Sequence, residues 1–340
     1  MYNIFIIYTG GTIGMVKNPE SGTFIPFDFA LIEKNLPDLS RLNYKLTVHS
    51  FRPIIDSSNM RPHIWLEMAE IIKKNYSLYD GFLILHGSDT MAFSASILSF
   101  LLEGLQKPVI LSGSQLPIGE IRTDARENLM TALEIASAKK NGRSIIQEVC
   151  ILFDNKLFRG NRSFKYNSDK FEAFRSPNYP VLAEAGIHIR YNEEVLLDNT
   201  NYEFVCHNKL DNRVGVLKLF PGIGQETIEA VLNSNVRSIV METFGSGNTM
   251  TDKWFLNLLE NATKAGKNIL DISQCKVGSV ELGRYETSQG LKEIGILNGY
   301  DMTFETAVTK LMYLQGELTD QNQVAYWVQQ NIRGELTKND

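Results

Sequence analysis

The chain has 340 residues, a formal net charge of −5 and a pI near 5.7, a balance that suits a soluble protein and excludes the basic footprint by which nucleic acid or an anionic membrane surface is held. Its length exceeds what one compact core usually carries, so a larger and a smaller domain are expected. Cys150, Cys206 and Cys275 are odd in number and far apart, which argues against a disulfide framework, and Cys150 and Cys275 sit beside apolar runs where a thiol packs as a small hydrophobe. The first residues lack the basic stretch, apolar core and cleavage site of a signal peptide, and no apolar run reaches the ~18 residues of a membrane span, so the expected location is the cytoplasm.

The run from Ile4 to Tyr8 reads as a short buried strand, stopped by the glycines of "TGGTIG". Gly10 and Gly11 let the backbone turn sharply and approach a ligand, leaving Thr12 at the mouth of the sheet. Alone, the stretch admits two readings: a glycine-rich turn with an ordinary cap, or a nucleophile elbow with Thr in place of Ser. It carries neither the dinucleotide glycine spacing nor a P-loop. "DSSNM" at 56–60 brings Asp56, Ser57 and Ser58 together, and Pro62 then opens a helix in which Ile64, Met68 and Ile72 line up.

"GFLILHG" is the next strand, and "HGSDTM" at 86–91 leads from it into a helix with Ala95, Leu98, Ser99 and Leu102 on one face. Ser88 or Asp89 is expected to cap that helix, whose positive end keeps Asp89 ionised and suited to a ligand ammonium. "PVILSG" follows, with Ser112 and Ser114 in "LSGSQLP"; "VCILFD" is a further strand, and "FRGNRSFKYNSDKFEAFRSPN" carries Lys165. Residues 190–213 turn polar and irregular, then alternation resumes through "VGVLKLF", "VRSIVMETFG" and "KNILDIS". The expected fold is α/β: a larger N-terminal catalytic domain, 1–189, with a mostly parallel sheet covered by helices on both faces, a linker at 190–213, and a smaller C-terminal α/β domain, 214–340, ending in a frayed "LTKND".

The five histidines, at 49, 63, 86, 188 and 207, have no H-x-x-x-H or C-x-x-C companion, so no metal is expected, and His86 reads as a satisfied core residue. A hydroxyl nucleophile then needs another activator. Lysine serves when burial lowers its pKa, and Lys165 is the candidate.

"TGGTIG", "DSSNM", "HGSDTM", "GSQLP" and "RGNRSFK" occur here in the order seen in the asparaginase/glutaminase family, and the resemblance, closest to the cytoplasmic type I bacterial members, continues through "EAGIHIR", "FPGI", "FGSGN", "SQC", "DMTFETAVTKLMYL" and "NIRGELT". It implies a hydrolase of linear amides without a cofactor, in which Thr12 attacks the side-chain amide of L-asparagine, ammonia leaves, and water frees L-aspartate from the acyl-enzyme. By the same resemblance Ser88, where relatives usually carry Thr, is the second catalytic hydroxyl, Lys165 its basic partner, and Asp89 the group that takes the substrate ammonium. Asp56, Ser57 and Ser58 surround the amino-acid end of the substrate, and backbone donors near Ser88 and Ser114 face the amide oxygen. Many relatives carry a tyrosine on the segment after "TGGTIG"; Phe24 stands there in this chain, and Tyr285 is the candidate for the missing hydroxyl. A homodimer or homotetramer is implied, with each active site between the large domain of one protomer and the small domain of its neighbour. Where relatives activated by asparagine carry an effector-holding arginine, this chain has Glu242, read either as a lost anchor or as a solvated strand-end charge. The rival readings are an amidohydrolase of L-glutamine or D-asparagine, a subunit of a tRNA-dependent amidotransferase, and a catalytically inactive ligand-binding α/β protein.

Overall fold

The computed structural model describes residues 1–17, 24–26, 43–284 and 286–338. The chain divides into two compact units, Met1–Asn208 and Lys209–Asp340.

In the first unit, β1 (Tyr2–Tyr8), β2 (Tyr44–Ser50), β3 (Gly81–Leu85), β4 (Val109–Ser112) and β5 (Val149–Phe153) run parallel, joined by α1 (Pro62–Asn75), α2 (Met91–Leu101) and α3 (Ala125–Ser137). β6 (Lys156–Arg159), β7 (Ala183–Ala185) and β8 (Ile189–Tyr191) extend the sheet antiparallel, giving the eight-stranded order β8-β7-β6-β5-β4-β3-β1-β2. Successive side chains of a strand point to opposite faces. Ile4, Ile6, Tyr8, Leu83, Leu85 and Ile110 therefore pack under Leu129, Ala132 and Leu133 of α3. Phe5, Ile7, Phe82, Ile84 and Leu111, equally buried, project from the other side. Burying both faces is what the near-continuous apolar strands require.

Several sequence expectations change here. β2 was missed, because "YKLTVHS" is an edge strand whose side chains stay partly exposed and whose polar residues hide its period. α2 is buried almost all round rather than on one face, Phe93 being the exception. Residues 190–208, most of the expected linker, belong to the first unit: Val205–Cys206 pairs with Leu102–Glu103, and the Asn199 amide donates to Gln147 Oε1 at 2.9 Å.

The second unit is a parallel four-stranded sheet, β9 (Val214–Lys218), β10 (Ser238–Thr243), β11 (Asn268–Ser273) and β12 (Leu297–Asn298), in sequential order. α4 (Gln225–Leu232) and α5 (Lys253–Lys264) cover it through Ile228, Leu232, Phe255 and Leu259. α6 (Phe304–Glu317) and α7 (Gln321–Val328) pack on it as well. Near the start of the unit Asp211 accepts hydrogen bonds from Arg213 at 2.6 Å and Arg237 at 3.2 Å, which pull its pKa down to about 2. Within "LTKND", Leu336 is buried and the Thr337 amide donates to Asp301 at 2.7 Å, so these two do not fray, while Asn339 and Asp340 lie outside the described residues. The buried Lys310–Glu335 ion pair at 2.5 Å holds the chain just before it. Cys150 is buried as expected, whereas Cys275 is exposed, lying past the end of β11.

Candidate active site

Because β1 to β4 are parallel and adjacent, the loops that leave β1, β2, β3 and β4 emerge at one edge of the sheet, the edge where open α/β sheets bind ligands. These loops carry "TGGTIG", "DSSNM", "HGSDTM" and "GSQLP". They are tied to one another. The Ile55 amide donates to the Thr9 carbonyl at 2.8 Å, and the Thr9 hydroxyl donates to the Leu85 carbonyl at 3.1 Å. Gly11, at φ 92°, takes a conformation L side chains avoid, and a Cβ there would lie 2.6 Å from the Gly87 backbone. The Thr90 hydroxyl donates to the Ser57 carbonyl at 2.7 Å, joining the second loop to the third.

Thr12 begins a 3₁₀ turn, Thr12–Gly14, in which the Gly14 amide donates to the Gly11 carbonyl at 3.2 Å. Among the described residues its hydroxyl has no hydrogen-bond partner. Ser88 and Asp89 do not cap α2 as expected. The helix starts at Met91 with Thr90 in the cap position, and their side chains turn instead to Lys165, which donates to Ser88 Oγ at 2.8 Å and to Asp89 Oδ1 at 2.6 Å. A charged donor to a carboxylate is a stronger partner than a helix end, which accounts for the change. Asp89 is 68% exposed and Lys165 only 18%, so the carboxylate stands open at the rim while the ammonium lies within.

Asp56 caps the 3₁₀ turn Ser57–Asn59, accepting from the Ser58 amide at 2.9 Å and the Ser58 hydroxyl at 2.8 Å, and these bonds hold its pKa low. Ser57 is buried, against Gly87. Ser114 is buried too, and its hydroxyl donates to Leu116 at 2.6 Å, so its side chain serves its own turn. Phe24 pairs with Lys17 in a short antiparallel ladder; Tyr285 lies outside the described residues.

His86 is the core residue expected from its sequence setting. Nδ1 lies 2.7 Å from the Gly87 carbonyl and Nε2 2.8 Å from Ser94 Oγ, which accepts from Trp65 Nε1 at 2.8 Å. Burial pushes its pKa down to about 4. The segment that leads to Lys165 carries groups that sequence reasoning passed over. Arg159 and Glu148 form a buried ion pair at 2.6 Å, and Arg159 and Arg162 both lie over the Tyr179 ring, at 4.4 and 4.8 Å. The sequence signal for them was two arginines within "FRGNRSFK".

Fold and candidate site together define a two-unit α/β protein that gathers hydroxyls, a lysine and a carboxylate at the carboxyl edge of a parallel sheet. Residues 3–197 match the family model for the asparaginase N-terminal domain, and residues 213–327 that for the glutaminase/asparaginase C-terminal domain. The chain is 40% identical to L-asparaginase 1 of Escherichia coli K12 over 341 aligned positions, covering 99% of each chain. It superposes on the crystal structure of L-asparaginase I from Vibrio cholerae with a TM-score of 0.89 at 40% identity, again over 99% of each chain. On the thermostable L-asparaginase from Thermococcus kodakarensis the TM-score is 0.90 at 30% identity, over 99% of this chain and 100% of that one. The chain belongs to the asparaginase family.

Proposed function

We propose that this protein hydrolyses the side-chain amide of L-asparagine to L-aspartate and ammonia through an acyl-enzyme on Thr12. The observation that carries the reading is the Lys165–Ser88–Asp89 cluster at 2.8 and 2.6 Å, on the same sheet edge as the Thr12 turn. Full-length similarity to L-asparaginases supports it. Thr12 Oγ adds to the amide carbon and its proton passes toward the Ser88–Lys165 pair; the amide nitrogen takes up a proton and departs as ammonia. Water then adds to the ester, restoring the Thr12 hydroxyl and releasing aspartate. Asp89 receives the substrate ammonium, Asp56, Ser57 and Ser58 hold its amino-acid end, and backbone amides near Ser88 and Ser114 face the developing oxyanion. The working unit is a homodimer or homotetramer in the cytoplasm.

The test is ammonia release by the purified protein with L-asparagine, D-asparagine and L-glutamine. Preference for L-asparagine is the expected result. One methylene changes binding by only about 1–3 kcal/mol, so some turnover of L-glutamine is compatible with the reading, whereas equal or faster turnover of L-glutamine or D-asparagine would replace the substrate. No release from any of the three would return the protein to ligand binding.

A further inference from the structure

The turn that carries Thr12 is held at both ends. On one side Gly11 presses against the backbone of His86 and Gly87; on the other Gly14 offers its carbonyl to the Tyr8 hydroxyl, which donates to it at 3.1 Å. Between them Ile13 is fully buried. Gly14 admits no side chain, because a Cβ there would fall on the ring and hydroxyl of Tyr8. Tyr8 is the last residue of β1, and its ring belongs to the apolar cluster beneath α3, so the hydroxyl cannot swing away without leaving the core.

We propose that Tyr8 is a positioning residue for the nucleophile: its hydroxyl anchors the Gly14 carbonyl and so holds the turn from which Thr12 projects. This rests on the reading of Thr12 as the group that attacks. Buried as it is, Tyr8 has its pKa pushed up to about 12, and it remains a hydrogen-bond donor at every working pH. The β-branch of Thr12 restricts its rotamer, so the direction of its hydroxyl follows the backbone of the turn. A displacement of about 1 Å at a reacting atom is enough to cost up to about 100-fold in rate. The anchor therefore acts on kcat, not on substrate affinity.

The experiment compares wild type with Tyr8→Phe, which removes only the hydroxyl, and combines each with Thr12→Ser, which frees the nucleophile's rotamer. Tyr8→Phe is expected to lower kcat about tenfold at a temperature well below Tm while KM for L-asparagine stays within about twofold. The two substitutions should be non-additive in kcat, since both loosen the same group. A Tyr8→Phe variant with wild-type kcat and a lowered Tm, or strict additivity with Thr12→Ser, overturns the assignment and leaves Tyr8 a core residue only. Gly14→Ala attacks the same contact from its other partner and, because its Cβ displaces the Tyr8 ring, should lower Tm as well as kcat. If neither variant folds, the contact serves folding and the assignment is again overturned. An inactive wild type would sink the proposed function, whereas an active wild type with an unaffected Tyr8→Phe sinks this inference alone.

Discussion

Thr12, Lys165 and His86 are held in different ways, and each predicts a different response to substitution. Thr12 is a partly exposed turn residue, and Thr12→Ala removes a hydroxyl and a methyl. Activity should vanish while the thermal midpoint stays near that of wild type; turnover above a few per cent would remove Thr12 as nucleophile. Lys165→Met keeps the length of the side chain and deletes both donors, to Ser88 and to the exposed Asp89. Exposed ion pairs contribute about 0–1 kcal/mol, so calorimetry should register little, whereas kcat should fall by orders of magnitude, as it does for members of a catalytic unit. Full activity would rule out the relay. His86, with its pKa lowered to about 4 by burial, stays neutral from pH 5 to 8, and the pH–rate profile should carry no limb that His86→Gln abolishes. A limb near the ordinary histidine value that disappears in that variant would refute this. At this scale the candidate site was legible as a set of loops rich in hydroxyls and carboxylates. Which way each side chain turns was not: Ser88 and Asp89 had a local use as caps, and only the distant Lys165, brought in by β-sheet topology, outcompetes it.

Among elements, the apolar strands were the most readable, since β3, β4 and β5 are buried along their whole length and each is bounded by turn residues. β2 was unreadable because an edge strand keeps neither a continuous nor an alternating apolar pattern. β11 holds a residue with a consequence for pH. Asp271 is fully buried; among the described residues it accepts a hydrogen bond from the Thr243 hydroxyl at 2.7 Å and its other carboxyl oxygen has no partner, and burial raises its pKa to about 7. Between about pH 4 and 7 the unfolded chain has released this proton and the folded one retains it, so stability falls as pH rises through that window and levels off above it. Glu305, also raised by burial, acts in the same direction. Asp271→Asn removes the Asp271 contribution, and its thermal midpoint relative to wild type should climb from pH 4 to 7 and then hold constant. A pH-independent difference across that range would show that Asp271 is ionised throughout.

At the scale of the whole molecule the proposed working unit is at least a homodimer, to be checked by sedimentation at assay concentration; an active monomer would refute it. Glu242 bears on regulation. It is buried and paired with Lys218 at 3.2 Å, so it is not the solvated strand-end charge that the sequence left open. A carboxylate already paired with Lys218 offers a carboxylate effector no anchor, and without differential effector binding no population shift occurs. Velocity curves for L-asparagine should therefore be hyperbolic, with a Hill coefficient of about one, and a sigmoidal curve from the fully assembled protein would contradict that. The sequence by itself determined the α/β class, the buried strands, the division into two units and the four loops of the candidate site, because burial of a strand and the chemistry of a turn are written in neighbouring residues. Tertiary structure alone decided that residues 190–208 pack with the first unit, that Lys165 meets Ser88 and Asp89 rather than solvent, and that Tyr8 reaches back to Gly14. Those outcomes depend on which segments the sheet order brings side by side, and a carboxylate, a hydroxyl or a carbonyl takes the strongest partner within reach, near in sequence or far.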